Sequence, residues 1–128
     1  MTRVLALDYG SARCGCAVSD PTGTLATPLP PVEDPASDTG LERIAGLVRT
    51  HEARCVVVGL PVGLSGAEGA QAGETRRFVE RLQAALEVPV ETWDERFTTR
   101  LAQATPGRHA EDSRAAAHLL QSWLEARR

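Results

Sequence analysis

The stretch VLALDYGSARCGCAVSD, residues 4–20, decides how the chain folds. Val4 to Leu7 is wholly apolar, the pattern of a strand buried on both faces. Asp8 ends that run, Tyr9 and Gly10 follow, and a second short strand pattern starts almost at once. Residues 3–8 and 14–19 therefore predict two strands joined by the turn YGSAR, with Gly10 able to supply a positive φ. A carboxylate at the tip of a buried strand is costly unless a cation or hydrogen-bond donors meet it. The sequence has to provide something for Asp8 to meet.

Outward from this hairpin, Thr24 to Val32 predicts a third strand, placed at an edge by Pro28, Pro30 and Pro31. Thr39 and Glu42 stand at capping-box spacing, ahead of a helical stripe of Leu41, Ile44, Leu47 and Val48 reaching about Glu52. CVVVGLP, residues 55–61, is another continuous apolar run and predicts a second strand buried on both faces. The glycine-rich VGLSGAEGAQAG, residues 62–73, predicts a mobile loop. A helix over about 75–86 directs Phe78, Val79, Leu82 and Leu86 inward and Arg76, Arg77, Glu80 and Arg81 outward. VPVETWDER, residues 88–96, predicts a fifth strand ending in acids, TPGR breaks the chain, and a last helix runs over about 111–126. The order β-β-β-α-β-α-β-α implies an α/β domain, a mixed five-stranded sheet with helices on both faces. In such sheets, sites form at the carboxyl ends of the strands.

The 128 residues fit a single domain over 1–128, and 42% hydrophobic residues suffice for one core. With only 4% aromatic residues, Leu, Val and Ala must fill it, while 24% charged residues argue against disorder. No apolar run approaches the roughly 20 residues of a membrane helix. The pattern opens directly on a strand, without signal-peptide architecture, so a soluble, cytoplasmic protein that engages no membrane is expected. Cys14 and Cys16 are poorly placed for a mutual disulfide, and no second Cys/His pair completes a zinc-finger spacing, so reduced, buried thiols are expected. The net charge of −3 does not announce a nucleic-acid binder, although all 14 basic residues are arginine, the side chain that forks onto phosphate. A local patch would have to do any such binding.

Acids gather where strands end. Asp8 closes the first strand, and Asp94 and Glu95 close the fifth. Asp112, Ala116, Leu119, Leu120 and Trp123 share one helical face, which predicts that Asp112 points at the strand tips. Clustered carboxylates repel unless a cation joins them. Mg²⁺ or Mn²⁺ suits oxygen ligands, and two such ions about 4 Å apart activate water and stabilise a leaving phosphodiester oxygen. Each acid also has an ordinary alternative. Asp112 would cap the last helix, Asp94 or Glu95 would pair with Arg96, and Asp8 would accept amides from the turn at Gly10.

The blocks LALDYGSARCGCAVSD, VVVGLPVGLSGAEG, DERFTT and DSRAAAHLLQSWL, in this order, resemble the signatures of the YqgF family, also called RuvX, of pre-16S rRNA nucleases and Holliday junction resolvase-like proteins. The resemblance covers nearly the whole chain. It implies a ribonuclease H-like fold, Mg²⁺- or Mn²⁺-dependent nuclease chemistry, and a role in maturing the 5′ end of small-subunit ribosomal RNA. A structure-selective DNA nuclease, or a non-catalytic RNA-binding assembly factor, is the alternative. Carried over by position, the family's acids fall on Asp8, Glu95 and Asp112, with Asp94 as a further metal-side acid. Arg13, Arg96, Thr98 and Arg108 are candidates for contact with nucleic acid, either an rRNA precursor or branched or single-stranded DNA. His118 reads as a packing or surface residue. The chain departs from the family in a short, weakly basic segment before Asp112, and in Pro61, where related resolvases carry a glutamate. Monomer and homodimer both remain open.

Overall fold

β1 (Arg3–Asp8) occupies the middle of a five-stranded sheet in the computed structural model, which describes residues 3–61, 69–95 and 110–127, side chains of 110–112 excepted. It pairs antiparallel with β2 (Arg13–Ser19), which in turn pairs with β3 (Ala26–Glu33). After α1 (Asp38–Thr50), β4 (Ala53–Leu60) takes the other side of β1 in parallel. α2 (Ala70–Ala85) then leads to β5 (Val90–Asp94), parallel to β4, and α3 (Ala110–Ala126) ends the chain. The strand order is β3-β2-β1-β4-β5, so the proline-bearing strand is an edge, as its missing amides require.

Both faces of the sheet are covered. Leu5, Leu7 and Tyr9 of the first strand segment, with Val56 and Val58, pack against Ile44 and Val48 of α1 and Phe78, Val79 and Leu82 of α2. Val4, Ala6, Ala17 and Val57 face α3, which contributes Ala116, Leu119, Leu120, Trp123 and Leu124. This second face is built of smaller side chains, so α3 can lie close to the strands. The far end of α3 is fastened to β5. Trp123 Nε1 donates to Glu91 at 3.1 Å, Arg127 reaches the same carboxylate at 2.8 Å, and its guanidinium lies 3.6 Å from the Trp123 ring centroid. Cys14 and Cys16 are buried thiols in the first layer, and Cys55 is a half-buried thiol.

Three local expectations are corrected. The turn after β1 does not need a positive φ at Gly10; the described glycine with one is Gly23, in the β2–β3 hairpin. Gly10 is required by proximity instead, since a Cβ there would lie 2.6 Å from the Arg13 carbonyl oxygen. α1 is capped by Ser37, not Thr39: the Ser37 hydroxyl accepts from the Gly40 amide at 3.0 Å and donates to the Asp34 carbonyl. The glycine-rich segment is shorter than expected, because α2 begins at Ala70. Buried Ala72 and the Thr75 hydroxyl, which donates to Gln71 O at 2.9 Å, hold a turn that the glycine density had hidden. Residues 62–68 lie outside the described residues.

The capping geometry separates two neighbouring hydroxyls. Ser37→Ala is expected to cost about 1 kcal/mol in urea unfolding, whereas Thr39→Ala, exposed and beyond the cap, is expected to stay within about 0.5 kcal/mol of the parent.

Candidate active site

β1, β4 and β5 run in parallel and end at the same margin of the sheet. Side chains alternate along a strand, so Val4, Ala6 and Asp8 share the α3 face. Asp8 is therefore directed at that face from the last position of the central strand, where it is half-buried. Its partner across β2 is Gly15. On the other side Leu7 pairs with Val58, so the next position of β4 is Gly59. Two glycines thus flank Asp8, and neither puts a side chain beside it.

Glu95 lies against the second of them. A Cβ on Gly59 would lie 2.9 Å from Glu95 Oε1, 3.2 Å from its Cγ and 3.2 Å from Leu119 Cδ2. The Glu95 carboxylate therefore lies over β4, on the same face as Asp8 and one strand removed, where strands are spaced about 4.8 Å apart. Asp94 is directed elsewhere. It pairs with Leu60, one step past Gly59 and Trp93, and alternation turns it to the α1–α2 face. The adjacent acids thus separate across the sheet, and only the second lies on the face to which Asp8 is directed.

The start of α3 is tied to the same margin. Ser113, 1% exposed, accepts from the Cys16 amide at 3.3 Å and donates to the Leu29 carbonyl. Cys16 follows Gly15, the partner of Asp8. The backbone at 112 immediately precedes Ser113 in the helix, while the Asp112 side chain lies outside the described residues, as do Arg96, Thr98 and Arg108. Of the remaining sequence candidates, Arg13 is exposed at the first position of β2, at this same end of the sheet. Pro61 follows β4, and His118 is half-buried midway along α3.

Tyr9, directly after Asp8, takes the opposite face. Its ring stacks on Phe78 with centroids 4.4 Å apart, and its hydroxyl donates to Glu74 at 3.3 Å. Burial raises its pKa above the ordinary 10.0, and the Glu74 carboxylate adds to the rise. Tyr9 thereby joins α2 to the strand tip. Ser113, Gly59 and Tyr9 were not singled out from sequence. Gly59 did carry a signal, an isolated glycine within an apolar strand run, the mark of close approach. Ser113 carried another, since it stands at i, i+3 and i+7 with inward-facing Ala116 and Leu120.

The Asp8–Glu95 pair offers hard oxygen donors on one face, with a glycine cradle that a Cβ would fill. That donor chemistry fits a divalent cation of the Mg²⁺ class. Among the described residues no group of three His, Cys, Asp or Glu side chains is assembled. Also among them, no helix is long and apolar enough to cross a membrane.

A family model described as "RuvX: Holliday junction resolvase" matches residues 2–126. The chain is 40% identical over 135 residues to the "Putative pre-16S rRNA nuclease" of Syntrophus aciditrophicus, covering 97% of this chain and 89% of the relative. It is 40% identical over 134 residues to the protein of the same name from an Anaeromyxobacter species, covering 98% of each. Among solved structures, Thermus thermophilus RuvC in complex with a Holliday junction substrate superposes with a TM-score of 0.59 at 17% identity, covering 99% of this chain and 96% of that one. That likeness concerns the fold, which is ribonuclease H-like.

Tyr9 is the one tyrosine of the chain, so ultraviolet titration of the phenol reads it alone. Its midpoint is expected above 10, and Glu74→Gln is expected to lower it. A raised phenol pKa means the folded state holds the proton more tightly. The associated stability is complete below the unfolded pKa near 10 and is lost as pH rises through the folded value.

Proposed function

The chain belongs to the RuvX family, and from that premise we propose that it is a divalent-metal-dependent nuclease that hydrolyses phosphodiester bonds in maturing the 5′ end of the 16S rRNA precursor. The names of its relatives support the substrate, and the shared face of Asp8 and Glu95 carries the chemistry.

Asp8, Glu95 and Asp112 would hold Mg²⁺ or Mn²⁺. Such an ion supplies Lewis acidity, which makes water a better nucleophile at neutral pH and offsets charge developing on the leaving oxygen. Asp8 offers its carboxylate from the end of the central strand, which is paired on both edges. Glu95 reaches over Gly59 and supplies the acid that Pro61 does not provide at the end of β4. Asp94 is left out of the set, because alternation directs it to the other face. Arg13, Arg96 and Arg108, with Thr98, would contact phosphate and fix the scissile bond against the carboxylates. Three free thiols suit a reducing compartment, which supports a cytoplasmic location.

The test is a metal titration against a 16S rRNA precursor fragment, single strands, duplexes and a four-way junction. Mg²⁺- or Mn²⁺-dependent cleavage of the precursor is expected. Asp8→Asn and Glu95→Gln are each expected to lower it on the order of a thousandfold without unfolding the protein, whereas Asp94→Asn stays within about tenfold of the parent. Cleavage of the junction but not the RNA would transfer the site to branched DNA. Binding of RNA without cleavage under either metal would make the protein an assembly factor and overturn the enzymatic reading.

A further inference from the structure

A buried hydroxyl is built into the sheet beside the proposed metal site, at a point where the strand ladder is open. Along β2 and β3 the register runs from Cys14 opposite Val32 to Cys16 opposite Leu29. Two steps on β2 thus match three on β3, and the additional residue falls at Pro30–Pro31, which have no amide hydrogens. Cys16 and Leu29 are strand partners, yet the Cys16 amide donates to Ser113 Oγ, at 3.3 Å, and the Ser113 hydroxyl donates to the Leu29 carbonyl. A side chain of α3 therefore bridges an amide and a carbonyl of facing strands. Both bonds are directional, and the one to the Cys16 amide is buried, so together they fix the first turn of α3 in position and rotation.

We propose that Ser113 is a positioning residue for metal binding: its bridge between Cys16 and Leu29 sets the start of α3 at the carboxyl margin where Asp8 ends β1. The helix does not need this bridge to stay on the sheet. Ala116, Leu119, Leu120, Trp123 and Leu124 bury its apolar face, and Glu91 fastens its far end. What the hydroxyl adds is registration at the end where the acids gather. Groups that orient ligands without touching the ion commonly govern affinity by 10- to 100-fold, on the order of magnitude expected here.

This inference rests on the metal-site reading above, and its experiment separates the two. Mn²⁺ is titrated into the metal-free full-length protein, with no nucleic acid present, and free Mn²⁺ is read by electron paramagnetic resonance. Ser113→Ala is expected to weaken Mn²⁺ binding about tenfold or more, while Ser113→Thr, which keeps a hydroxyl, recovers most of the affinity. Val79→Ala, in the opposite layer, is expected to lower the thermal midpoint and leave Mn²⁺ affinity at the parental value. If Ser113→Ala does not fold, Ser113→Cys, close in volume but a weak hydrogen-bonding partner, carries the same expectation. Parental affinity in the alanine or cysteine variant overturns the inference, as does an equal loss in Val79→Ala. A parent protein that binds no Mn²⁺ overturns the metal site itself, and the inference with it.

Discussion

The structure depends on the alternation of side chains along a strand that is enclosed on every side. β2 and β4 take both edges of β1, and the two helical layers take both of its faces. Period two then leaves no choice of direction. Leu5, Leu7 and Tyr9 belong to the thick layer of α1 and α2, and Val4 and Ala6 to the thin layer under α3. Asp8, next in the second series, is turned to the α3 face where the strand ends. A slip of one residue would send its carboxylate to the other face and bury it against Phe78 and Val79, at a cost that an isolated charge cannot recover.

The thin layer explains why the opposing helix is held at its two ends. Ala6, Ala17, Ala116, Gly15 and Gly59 offer little side-chain bulk near the carboxyl margin, while Leu119, Leu120, Trp123 and Leu124 pack the layer further along α3. Polar contacts add registration at its ends. Ser113 enters the opened ladder at the carboxyl margin, and Trp123 and Arg127 share the Glu91 carboxylate at the other. Glycines leave room for carboxylates, and hydrogen bonds decide where the helix that faces them begins.

The order and type of all eight elements were legible in the sequence because the buried strands are continuous apolar runs and the helices carry clear stripes. The ends were less legible. Ser37 and Thr39 are both competent caps, and the choice between them is made by the Asp34 carbonyl, which a linear reading does not place. The glycines of residues 62–73 hid the first turn of α2, whose stability comes from burying Ala72. The place of Asp8 at the end of the central strand followed from the strand pattern alone. Asp94 and Glu95 were separated by the family resemblance and not by the strand pattern, since only the pairing of Gly59 with Trp93 reveals which face each residue of β5 takes. Ser113 was hidden for a similar reason: its two partners are 97 and 84 residues away.

The prolines of β3 also act outward. With Pro28, Pro30 and Pro31 in a strand of eight residues, this flank of the sheet presents carbonyl groups with few amides to answer them. A second polypeptide arriving there in extended form would find no complete row of partners, so the sheet cannot be lengthened on that side. The same residues that open the ladder where a serine hydroxyl enters thus guard this edge against strand-to-strand, fibrous self-association.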